Sequence, residues 1–126
     1  MKKIFILILL YVVFASCAKN KSSFKIDTNY WKIPPDITKV VYEGGDGSSV
    51  ENAIIIRNLT TTRDGIAAVY AYIEKQLGTR NKDWKLVMQS KATINERHYD
   101  FVTVEKISDD TQITYTFDIT DFFGKF

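Results

Sequence analysis

Apolar residues along the chain switch from strand spacing to helix spacing and back, and the elements follow from those switches. ITKVVYE is rich in β-branched residues and stops at Gly44 and Gly45, which predicts a strand over residues 38–43. ENAIIIRNL predicts a second strand over 53–58, and its unbroken Ile54, Ile55 and Ile56 point to burial on both faces or against a helix. In TTTRDGIAAVYAYIEKQLG the spacing becomes helical. Ile66, Val69, Tyr70, Ile73 and Leu77 form one apolar stripe. Thr61 with Asp64 three places on forms a capping box, and Gly78 is placed to end the helix. Gly65 weakens the first turn. Tyr72 falls off the stripe, at its flank or exposed.

Strand spacing then returns three times. WKLVMQSKATI sets Trp84, Leu86 and Met88 on one face, and HYDFVTVEKI follows. QITYTFDIT alternates, with Ile113, Tyr115, Phe117 and Ile119 on one side and Gln112, Thr114, Thr116 and Asp118 on the other. NER and SDDT are the turns. Folding about the centre of SDDT sets Val104 beside Tyr115 and Val102 beside Phe117. A three-residue loop at NER sets Met88 beside Val104. One face then carries Trp84, Leu86, Met88, Val102, Val104, Tyr115 and Phe117, a bed for the helix stripe. The other carries Tyr99, Phe101, Thr103, Thr116 and Asp118, a half-polar surface for solvent or a partner. The order β-β-α-β-β-β predicts an α+β fold, one amphipathic helix on an antiparallel sheet.

The amino-terminal residues have a different pattern. MKK is positive, residues 4–14 are an unbroken apolar run, and Ala15, Ser16, Cys17 and Ala18 are small or compact. This is the three-part layout of a secretory signal. The run falls short of the about 20 residues that span a membrane. FASC resembles the lipobox of bacterial lipoproteins, with Phe14 where leucine is usual and Ala15 and Ser16 as the small pair before Cys17. An ordinary cleaved signal with a nearby cysteine is the other reading. The resemblance implies a diacylglyceryl group on Cys17, cleavage after Ser16 and acylation of the new amine. Acyl chains contribute about 0.8 kcal/mol per buried methylene, so several of them anchor where one does not. It implies an anchored protein of the bacterial cell envelope. Ala18 stands where Asp retains enterobacterial lipoproteins at the inner membrane, which favours the outer one. AKNKSSF is polar and aperiodic, a flexible tether. The expected organisation is a signal peptide over 1–16, a lipidated Cys17 with tether over 17–29, and one domain over 30–126.

Loss of the signal changes the charge. The chain has 17 basic and 15 acidic side chains, whereas residues 17–126 carry 15 of each. A neutral domain has no chain-wide attraction for phosphate, so nucleic acid is not expected as a partner. The single cysteine rules out an internal disulfide. One histidine, His98, falls short of a zinc ligand set, and neither metal nor cofactor is expected. His98 reads as a strand-edge surface residue, with Asp100, two places on, the one candidate for a catalytic pair. No residue is assigned as catalytic.

The candidate partner or ligand loop is Gly44, Gly45, Asp46, Gly47, Ser48 and Ser49. Glycines present backbone N–H groups, and such loops cradle anions. It lacks the Lys-Ser/Thr ending of a P-loop and the acidic spacing of an EF-hand. A wide strand-to-strand connection is the alternative. The closing DITDFFGKF brings Phe122, Phe123 and Phe126 to one end of the core. YEGGDGSSVENAIII and FDITDFFGKF also resemble segments of small uncharacterised bacterial proteins, many with secretion signals, a resemblance that implies no activity. The expected function is a non-enzymatic, membrane-anchored envelope protein that binds another protein, as inhibitor, immunity or assembly factor. The alternatives are a small periplasmic hydrolase using carboxylates near Asp46 and a ligand-binding lipoprotein.

Overall fold

The structure, a computed structural model, describes residues 34–126. Cys17, the tether and the start of the expected domain lie outside the described residues. A hairpin of β1 (Val41–Gly44) and β2 (Ile54–Arg57) leads into α1 (Thr62–Leu77). A meander of β3 (Trp84–Ile94), β4 (Arg97–Lys106) and β5 (Gln112–Asp118) follows. The strands form one sheet in the order β1-β2-β5-β4-β3. The fold is α+β, one helix on a sheet, with the elements in the predicted order.

The sheet is mixed rather than wholly antiparallel. β2 and β5 run parallel, Ile54 opposite Phe117, and the other neighbours are antiparallel. Connectivity explains the exception. The 16 residues of α1 carry the chain back by about 24 Å, so β3 starts in the direction of β2. β4 and β5 then fold into the gap between those two strands.

Local chemistry sets the ends of α1. The Thr61 hydroxyl accepts from the Asp64 N–H at 3.2 Å, the predicted cap. Gly78 closes the helix at φ 105°, ψ −151°, a conformation open essentially to glycine. The buried stripe is rotated from the predicted one. It runs through Gly65, Ala68, Val69 and Ile73, while Ile66 is 40% exposed. Aromatic packing explains the rotation. Tyr72 lies against Tyr42, Tyr115 and Phe117 with ring centroids 5.2–6.1 Å apart. The Tyr42 hydroxyl donates to the Ala68 carbonyl at 2.6 Å. Tyr72 is therefore a flank residue that packs on the core.

Two turns correct the predicted registers. Asn95 and Glu96 both have positive φ, 50° and 65°, so β3 and β4 join through a two-residue hairpin of the primed type. Arg97 pairs with Ile94 instead of belonging to the loop. The β4–β5 turn keeps more residues than predicted. The Lys106 carbonyl accepts from the Asp110 N–H at 2.9 Å, with Asp110 at φ 59°. Val102 consequently pairs with Tyr115, and Val104 with Ile113. This shift of two positions preserves the faces.

A β-bulge between Leu86 and Met88 has larger consequences. It inserts one residue and inverts the facing of everything after it. Trp84 is buried and Leu86 packs against the core, as expected. Met88 is 60% exposed and pairs with Thr103 on the far face. The predicted place of Met88 in the core is corrected for this reason. Gln89 and Lys91 now share the helix side of the sheet with their partners Val102 and Asp100.

On the far face Tyr99, Thr116 and Asp118 are buried rather than open to solvent, and two other cross-strand pairs are polar. Thr103 and Thr114 hydroxyls hydrogen-bond at 2.8 Å, and Lys85 meets Glu105 at 3.0 Å. At one end Asp118 is buried and accepts from Arg97 Nε at 2.6 Å and the Thr120 hydroxyl at 2.6 Å. Burial alone would raise the Asp118 carboxyl, but Arg97 and Thr120 outweigh it and hold it below its ordinary value. A carboxyl lowered by folding stabilises fully above its unfolded value and loses that contribution as pH falls through the folded one. Arg97→Ala is expected to cost about 1–3 kcal/mol at neutral pH in urea unfolding. The difference from the parent should shrink as pH falls below 3.8. An Arg97→Ala penalty that is the same in acid would show that the guanidinium acts through packing.

Candidate functional site

Of the six predicted loop residues Gly44 ends β1, and the other five lie in the connection to β2, tied down by their own backbone. Gly45 N–H donates to the Ala53 carbonyl at 3.1 Å and Gly47 N–H to the Asn52 carbonyl at 2.7 Å. Ser48 N–H donates to Asp46 Oδ1 at 3.0 Å, and the hydroxyl and N–H of Ser48 hold Asp46 below its ordinary value. The Ser49 hydroxyl accepts from the Asn52 N–H at 3.2 Å. The Gly47 carbonyl accepts from the Thr116 N–H at 2.7 Å, which fastens the loop to β5. Gly47 is buried with φ 81°, and a side chain there would strike Ile54. The N–H groups of Gly45, Gly47 and Ser48 therefore serve the loop itself. Asp46 and Ser48 are exposed at its rim.

The His98–Asp100 pair does not form. His98 stacks on Phe123 at 4.1 Å between ring centroids, and its Nδ1 bonds the Thr93 hydroxyl at 2.9 Å. Asp100 instead receives the Gln89 amide on Oδ2 at 2.7 Å. Of the other carboxylates, Asp118 is held by Arg97, and Asp121 lies 3.7 Å from Arg57.

The chemically unusual place lies around Asp100. β4 alternates Asp100, Val102 and Val104 toward the helix, and all three are buried. Asp100 is 2% exposed, and its Oδ1 has no hydrogen-bond partner among the described residues. Burial pushes this carboxyl above its ordinary 3.8, opposed by the Gln89 amide and the charge of Lys91. The carboxyl lines a recess of about 190 Å³ between the start of α1 and the closing residues of the chain. Ile66, Val69, Ile119, Phe122 and Phe123 supply apolar wall, and Lys91 is the other charged residue. The chain end is fastened there. Thr62 N–H donates to the Lys125 carbonyl at 2.6 Å, and its hydroxyl donates to the Phe122 carbonyl at 3.1 Å. The glycine-rich loop does not line this recess.

A second, more open groove of about 690 Å³ lies by Lys39, Asn58, Thr60, Asp121 and Lys125. It is larger, but no buried polar group lines it. The recess is the better chemical candidate, because an apolar wall around a few polar groups is the usual form of a ligand site. The signal for it is present in the sequence. The parity that puts Val102 and Val104 in the core puts Asp100 there too. In comparisons with known proteins, the chain matches no family model, no curated protein and no solved structure.

Proposed function

We propose that this chain is a lipid-anchored protein of the bacterial envelope, attached through Cys17, whose domain binds a protein partner without catalysis. The lipobox resemblance supports the anchor. The edge of the sheet supports the partner. β3 is the last strand, eleven residues long, and Val87, Met88 and Ile94 on it are exposed. An outer edge of this length is a template for an added strand from another chain. The bulge after Leu86 and the charges of Lys85 and Lys91 act against indiscriminate pairing. That combination suits one specific extended segment better than self-association.

The test uses the full-length chain in its native envelope, with a photo-crosslinking residue at Met88. One discrete adduct is expected, and the mature amino terminus should be an acylated Cys17 by mass spectrometry. An unmodified Cys17 or an intact Met1 overturns the anchor. Absence of an adduct from Met88 overturns the partner surface.

A further inference from the structure

We propose that the Asp100 recess binds a free α-amino acid with a large apolar side chain, its ammonium group on Asp100 and its carboxylate on Lys91. The site shares Lys91 with β3, but it opens on the helix side of the sheet and does not depend on the reading of the β3 edge. The first reason is the unanswered oxygen. Asp100 is nearly inaccessible, Gln89 occupies Oδ2, and Oδ1 has no partner. A buried acceptor without a donor is costly. A buried carboxylate is best answered by a cationic donor.

The second reason is the placement of opposite charges. Lys91 and Asp100 are register partners on adjacent strands, and both line the recess. Directly opposed Cα atoms lie about 4.5–5.5 Å apart, yet no ion pair joins these two among the described residues. One carbon separates the ammonium and carboxylate of an amino acid, so both reach such a pair. A simple amine would leave Lys91 beside a second cation. A simple anion would leave Asp100 beside a second negative charge.

The third reason is size and lining. A cavity of about 150 Å³ holds benzene, and this recess is about 190 Å³. Its Ile, Val and Phe walls suit a benzyl or isobutyl side chain.

Isothermal titration of the full-length chain tests the proposal. The probes are L-phenylalanine and L-leucine, with N-acetyl-L-phenylalanine and phenethylamine each lacking one charge. One-site saturable binding of the two amino acids is expected. Each single-charge analogue should bind about tenfold weaker or less, about 1.4 kcal/mol. Asp100→Asn and Lys91→Met should each weaken phenylalanine by the same factor. Ile66→Trp keeps both charges, fills the mouth of the recess and should abolish binding. No saturable binding by the parent chain overturns the proposal. So does an analogue that binds as tightly as phenylalanine, or binding that survives Ile66→Trp. The last variant decides the matter even where Asp100→Asn fails to fold.

Discussion

Phe122→Ala is expected to cost about 3–5 kcal/mol in urea unfolding, the usual range for truncating a buried aromatic ring. Phe122 is among the largest fully buried side chains, although it stands outside every strand and the helix. Its ring packs close against the first turn of α1 because residue 65 has no side chain. A Cβ built on Gly65 would clash with Cε2, Cδ2 and Cζ of Phe122. Two effects thus compete in Gly65→Ala. Helix propensity favours alanine by about 1 kcal/mol. Overpacking costs typically about 1–3 kcal/mol, and more where the ring has no room. Ring and backbone are both held here, since Thr62 binds the carbonyls of Phe122 and Lys125. Overpacking should win, and Gly65→Ala should lower stability by about 1–2 kcal/mol. The double variant separates the two effects. With Phe122 already alanine, Gly65→Ala should stabilise by about 1 kcal/mol. The sign change gives a coupling of about 2–3 kcal/mol, which only contacting residues show. If Gly65→Ala stabilises the parent chain, the ring does not hold that position.

The same pair shows where sequence pattern stops carrying information. In the helix stripe, Gly65 looks like a weak first turn, and the reason for it lies 57 residues away in Phe122. Periodicity reports the local backbone, so it recovered the six elements, the Thr61 cap and the stop at Gly78. It does not report insertions. One extra residue after Leu86 moved Met88 out of the core and brought Gln89 and Lys91 into line with Asp100. No residue type marks that bulge. The parallel β2–β5 pair was also hidden, because parallel and antiparallel neighbours share the same alternation. Asp100 is a different case. Its parity with Val102 and Val104 was legible, but its nearness in sequence to His98 pointed to a catalytic pair rather than to the helix side of the sheet. The glycine-rich loop attracted notice by composition, yet its N–H groups close its own turns.

Asp100→Val is expected to stabilise the domain at neutral pH, by about 1–3 kcal/mol, the typical cost of a buried group left unsatisfied. Valine continues the series set by Val102 and Val104 and suits a strand. It removes an unpartnered Oδ1, and the extra volume has the recess to enter. Gln89 loses its acceptor but is exposed and finds water. The pH dependence identifies the cause. Burial raises the Asp100 carboxyl in the folded state above the ordinary 3.8 of an unfolded chain. Between those two values the folded protein binds the extra proton, so stability falls as pH rises through that window. Above the folded value the deficit is complete, and below 3.8 it is absent. The advantage of Asp100→Val should therefore be largest at neutral pH and shrink as pH is lowered toward 3.8. Asp118 acts in the reverse sense and chiefly below 3.8, so the two carboxyls separate along one titration of the urea midpoint. A valine variant no more stable than its parent at neutral pH would mean that the carboxyl is answered within the domain. The ammonium group assigned to it would then have no vacancy to fill. A stabilised variant that also loses phenylalanine would instead show a residue kept at the expense of stability, the usual mark of a site retained for what it binds.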